Sequence, residues 1–176
     1  MEAQVIYLSL GLLAFGLALT LKLAMAARKV AEPAVALEAG ETVPAIDGRA
    51  LAGGAGLTLP VPGQPAALLF LSSRCPKCRE KIPELERLLP AARDAGLAIW
   101  LVSEEPAFRL RAFLGGSPLK DLAVRTRLRD YKRINPTLLS PAYLFVDHEG
   151  GIDAAGFIGD DNWTALQHQL TEERAA

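Results

Sequence analysis

Apolar and polar positions change period several times along the chain, and each change marks an element. Val5 to Leu21 is a 17-residue stretch without charge, and it runs on to Ala27 if Lys22 reaches outward, giving 23 residues, or roughly 35 Å of helix. That length predicts a membrane-spanning helix. Ala66 to Leu71 and Leu97 to Val102 are short continuous apolar runs, the pattern of buried strands. Ala142 to Val146 predicts a third, turning at His148-Glu149-Gly150-Gly151 into another from Ile152 to Ile158. After Pro76 the period becomes helical, with Ile82, Leu85, Leu88, Leu89 and Ala92 on one face; Pro83 predicts a kink and Asp94-Ala95-Gly96 a stop. Phe108 to Leu114 reads as a short helix. Asp160 or Asp161 caps a last helix that turns Trp163, Leu166 and Leu170 inward. Val43 to Arg49 and Gly56 to Leu59 predict a marginal hairpin before the first strong strand. Strand, helix, strand, helix, strand, strand, helix is an α/β order, and it predicts a mixed sheet with helices on both faces, preceded by one transmembrane helix.

Charge sharpens this division. Residues 1–27 hold only Glu2 and Lys22 of the chain's 39 charged side chains. The expected organisation is a tail at 1–4, an anchor at 5–27, an Ala- and Pro-rich linker at 28–39 and one domain at 40–173. A cleaved signal peptide is the rival for the leader, with Ala24-Met25-Ala26 as a loose cleavage motif, but Met-Glu-Ala-Gln supplies no basic start. Lys22, Arg28 and Lys29 follow the span and no basic residue precedes it, so the positive-inside rule alone puts the domain in the cytoplasm. The net charge of −1 selects no nucleic-acid partner. Six basic residues between Lys120 and Arg133 read as a solvated face, or as a docking surface for an acidic partner or lipid headgroups.

The chemistry lies in two cysteines. Cys75-Pro76-Lys77-Cys78 sits where a strand passes into a helix. The first turn of a helix leaves free amides and a positive dipole end, which favour a thiolate at Cys75; Arg74 and Lys77 add charge, and Pro76 suits the first helical position. Cys75 is the expected nucleophile and Cys78, one turn inward, the resolving thiol. A passive disulfide in so small a loop would stabilise little. Two Cys and two His cannot supply the four ligands of a structural zinc site in its usual spacing.

The stretches AALLFLSSRCPKCREKIPE, Ala66 to Glu84, and SPAYLFVDHEGGI, Ser140 to Ile152, resemble the thioredoxin superfamily, in particular its membrane-tethered TlpA-like branch and most of all the methylamine utilisation MauD family. The resemblance covers residues 40–173 and the anchor. It implies that Pro141 is a cis-proline packed against the cysteine loop and that Ser140 offers backbone hydrogen bonds to an extended substrate. It also implies a periplasmic domain, an exported cysteine-containing client (the small subunit of methylamine dehydrogenase) and a redox partner that resets the pair, with no cofactor. The sequence departs from general reductants of the superfamily in two places. Arg74 stands where they carry an aromatic residue, and the run Ala66 to Leu71 lacks their buried acid, so the sequence does not identify the proton acceptor for Cys78.

Rival readings are a TlpA-like reductant serving cytochrome c maturation or another client, and a non-catalytic binding module or metallochaperone that adds His148 or His168 to the cysteines. Phe70, Trp100, Phe113 and Trp163 read as core. Gly53-Gly54-Ala55-Gly56 lacks the flanking features of a phosphate loop.

Overall fold

The computed structural model describes residue 13, residues 15–22 and residues 37–175. Among these no helix is long and apolar enough to cross a membrane, and most of the expected 5–27 span lies outside the described residues. Residues 15–22 are helical, with Phe15, Leu17, Leu19 and Leu21 exposed.

The domain is a seven-stranded mixed sheet. Its strands are β1 (Ile46–Ala50), β2 (Gly56–Leu59), β3 (Ala66–Phe70), β4 (Ala98–Ser103), β5 (Ala123–Thr126), β6 (Ala142–Val146) and β7 (Ile152–Phe157), in the order β2-β1-β5-β4-β3-β6-β7. The centre, β5-β4-β3, is parallel, and β6, β7, β1 and β2 flank it antiparallel. The helices are α1 (Pro76–Asp94), α2 (Ala107–Leu114), α3 (Leu128–Ile134) and α4 (Asp161–Ala175).

Alternation along β3 divides the core. Leu69 and Leu71 face one side with Leu101, Tyr143, Leu85 and Leu88 of α1, Phe113 of α2 and Trp163 of α4. Leu68 and Phe70 face the other with Val102, Val124, and Tyr131 and Ile134 of α3. Helices therefore cover both faces, and β3 is buried at every position, each large side chain contributing about 1.5–3 kcal/mol. Phe70 meets Tyr131 edge to face at 5.6 Å. Phe70, Phe113 and Trp163 are core residues, and Trp100 packs partly buried against the α3 side.

Three elements add to what the sequence predicted. α1 runs without interruption through Pro83 and Pro90, its apolar face holding it on the sheet. The predicted hairpin is integral, because β1 also pairs with β5. The basic segment folds into β5 and α3, elements the sequence did not predict, with Val124, Tyr131 and Ile134 as core anchors, while Arg127, Arg129, Lys132 and Arg133 remain exposed. At α4 the cap is Asp160, whose Oδ1 accepts the Trp163 amide at 2.8 Å and the Tyr143 hydroxyl at 2.9 Å.

Candidate functional site

β3 ends at Phe70, and Ser72-Ser73-Arg74 carries the chain to Cys75, the N-cap of α1. Cys75 is extended (φ −96°, ψ 113°), and Pro76 opens the helix without wasting a donor. The Cys78 amide is shared between the Cys75 carbonyl at 3.1 Å and Cys75 Sγ at 3.4 Å, so a first-turn amide faces that sulfur. Cys75 is half-buried and Cys78 fully buried. The pair is asymmetric: one thiol is reachable from solvent and the other is held one turn beneath it.

Burial pushes the Cys78 thiol up to about 11, against the opposing pull of the Ser72 backbone amide, which donates to its sulfur at 3.5 Å. Cys78 is thus a neutral thiol at neutral pH and must lose a proton before it can attack.

The Ser140–Pro141 peptide is cis, and Pro141 is buried at the start of β6. The Cys75 thiol donates to the Ser140 carbonyl at 3.8 Å. Antiparallel pairing of Phe70 with Ala142 brings these segments, 65 residues apart, to one edge of the sheet. Among the residues picked out from sequence, Cys75, Cys78, Ser140 and Pro141 converge there. Arg74 is exposed and, with Ser73, Cys75, Pro76, Arg79 and Glu80, lines a groove of about 370 Å³. Lys77 is exposed and is not part of that lining.

Sequence reasoning missed Glu105. It follows β4, is 3 % exposed, and its Oε1 accepts the Ser72 hydroxyl and the Ser73 amide, each at 3.0 Å. Its Oε2 is buried without a partner among the described residues. A buried acid therefore lies at the neighbouring strand's end, bonded to the hydroxyl of Ser72, whose amide donates to Cys78 Sγ. The available signal was an acid two residues past the apolar strand Ala98–Ser103 and just ahead of a helix-opening proline.

No three His, Cys, Asp or Glu side chains among the described residues cluster to hold a metal. His148 lies in the β6–β7 turn and His168 on α4, both at the surface.

No family model and no curated protein sequence matches the chain. Solved structures do. The thioredoxin domain of a thiol-disulfide oxidoreductase from Bacteroides vulgatus is 24% identical with a TM-score of 0.65, over 77% of this chain and 99% of that one. A thiol:disulfide interchange protein from Bacteroides sp. is 24% identical with a TM-score of 0.65, over 77% and 91%. A peroxiredoxin-like protein from Aquifex aeolicus is 16% identical with a TM-score of 0.61, over 77% and 87%. With this sheet order, this placement of helices and these neighbours, the chain has a thioredoxin-like fold.

Proposed function

We propose that the chain is a membrane-tethered thiol–disulfide oxidoreductase in which Cys75 attacks and Cys78 resolves. The observation that carries this reading is the asymmetric pair itself, a half-buried thiol at a helix N-cap against Ser140 and cis-Pro141 with a buried thiol one turn below. Structural neighbours named as a thiol-disulfide oxidoreductase and a thiol:disulfide interchange protein support the same chemistry.

In the reducing direction the Cys75 thiolate attacks a client disulfide, forming a mixed disulfide and releasing one client thiolate. Cys78 then gives up its proton and attacks Cys75 Sγ, releasing the second client thiolate. Two electrons have passed from the pair to the client, and the Cys75–Cys78 disulfide remains. Oxidation of a client dithiol is the same sequence reversed, and the partner's potential sets the direction. We assign the buried Glu105 carboxyl, hydrogen-bonded to the Ser72 whose amide donates to Cys78 Sγ, as the acceptor of the Cys78 proton.

The tether is the apolar segment 5–27, whose one charge is Lys22, and oxidising compartments, where disulfides persist, favour a periplasmic domain. The likeness of Ala66 to Glu84 and Ser140 to Ile152 to the MauD family supports an exported, disulfide-rich client, the small subunit of methylamine dehydrogenase. The test is trapping in cells: Cys78→Ala, with Cys75 kept, is expected to accumulate a mixed disulfide with the client. No trapped species, together with full complementation of a deletion by Cys75→Ala, overturns the reading. An alkaline phosphatase fusion after Ala176 is expected to be active; an inactive one places the domain in the cytoplasm and removes the exported client.

A further inference from the structure

Five arginines, Arg49, Arg125, Arg127, Arg129 and Arg133, line a cleft of about 450 Å³ between β1, β5 and α3. Two carboxylates, Asp47 and Asp130, share it. Asp130 is taken by Arg129 at 3.3 Å, and Asp47 accepts the Thr58 hydroxyl at 2.8 Å. Arg49, Arg125, Arg127 and Arg133 form no ion pair among the described residues. Arg125 is fixed by its Nε bond to the Glu105 carbonyl at 2.9 Å and Arg133 by a bond from Nη1 to the Ala45 carbonyl at 3.0 Å, so their remaining donors are held in place around the cleft.

The parallel register fixes where this cleft stands relative to the dithiol. Phe70 pairs with Val102, and Ser103, the next residue along, pairs with Arg125. The C-terminal ends of β3, β4 and β5 thus deliver Cys75, Glu105, and Arg125 and Arg127 to one end of the sheet. Two strand spacings, about 10 Å, separate β3 from β5, a gap an extended peptide covers in about three residues.

We propose that the arginine cleft is the docking site for an acidic segment of the polypeptide client, a few residues from the cysteine that exchanges with Cys75; this rests on the exchange reading above. Guanidinium forks match carboxylates in pairs. The lining holds no aromatic ring for a base to stack on, which disfavours a nucleic acid. The charges also ring a cleft of bounded volume, which fits a carboxylate-bearing strand better than the flat face of a bilayer. Such a site raises the encounter rate with acidic clients and leaves neutral ones to chance.

The test uses the reduced protein and two peptides whose single cysteine is disulfide-linked to 2-mercaptoethanol, one with four Asp placed three to six positions from the cysteine and one with Ser there. Each turnover oxidises Cys75 and Cys78 and releases the peptide thiol and 2-mercaptoethanol, so two electrons leave the pair and reduce one disulfide. The acidic peptide is expected to react about tenfold faster than the neutral one at low salt, the advantage vanishing near 0.5 M NaCl. In R127E/R129E the ratio of the two rates is expected to fall to one or below, a readout insensitive to any general loss of activity. Equal rates in the wild type, or an acidic preference that survives the double reversal, overturns the proposal. Arginine-dependent binding to vesicles of phosphatidylglycerol without peptide preference assigns the cleft to lipid and overturns it too. If bis(2-hydroxyethyl) disulfide also fails to oxidise the pair, the exchange reading has failed, and the docking proposal falls with it.

Discussion

Glu105 holds Ser72: its Oε1 accepts the Ser72 hydroxyl at 3.0 Å, while the amide of the same serine donates to Cys78 Sγ at 3.5 Å. A buried carboxylate and a buried thiol are therefore joined through one residue. The link sets a carboxyl group one residue away from the thiol that must lose a proton, in a place where burial opposes the charged form of Cys78.

Glu105→Gln keeps the shape of the side chain and removes the base. Resolution of a mixed disulfide at Cys75 is expected to slow by about a hundredfold at pH 7. The wild type and the variant should converge at and above pH 11, where hydroxide deprotonates Cys78 directly. Quenched single-turnover kinetics across pH checks this. Equal slowing at every pH would mean that Glu105 only positions the Ser72-Ser73 loop.

Cys78 also links stability to pH in the reduced protein. Its thiol is raised to about 11 in the folded state against about 8.5 when unfolded. The folded state holds the proton more tightly, so the stabilisation is complete below the unfolded value and is lost as pH rises through the folded one. Urea denaturation should show the reduced wild type losing stability between those two values, with a slope of up to about 1.4 kcal/mol per pH unit beyond that of Cys78→Ala. Parallel curves for the two proteins would contradict the assignment.

Asp160 caps α4 and satisfies the hydroxyl of the fully buried Tyr143. Asp160→Ala is expected to cost about 2–3 kcal/mol, from the lost cap together with an unsatisfied buried hydroxyl. Adding Tyr143→Phe should recover about 1 kcal/mol of this, because the orphaned group is then gone. Denaturation of the single and double variants measures the coupling; strict additivity would show that the bond contributes nothing.

How much of this was legible in the sequence follows from which interactions are local. The cysteines could be placed because a continuous apolar run beside a helical period marks a strand-to-helix junction, and Cys75 is indeed the N-cap of α1. β5 and α3 were missed because Arg125 interrupts a strand of only four residues, and because Arg127, Arg129 and Arg133 mask the spacing of Tyr131 and Ile134. Their stability comes from pairing with β4 and β1 and from packing on Phe70, none of which is local. Glu105 was missed for a related reason. In Glu104-Glu105-Pro106 it reads as an ordinary polar loop, and only the parallel register of β3 and β4 sets it beside Ser72 and Ser73, 33 and 32 residues earlier.

The most direct measurement of the central claim is the intact mass of each single-cysteine protein after reaction with a disulfide-linked peptide. Cys78→Ala is expected to gain one peptide, attached at Cys75, and to keep it, because the resolving thiol is gone. Cys75→Ala, left with a buried and protonated Cys78, is expected to gain none under the same conditions. Equal adducts on both variants, or an adduct on Cys75→Ala alone, would contradict the assignment of Cys75 as the attacking thiol.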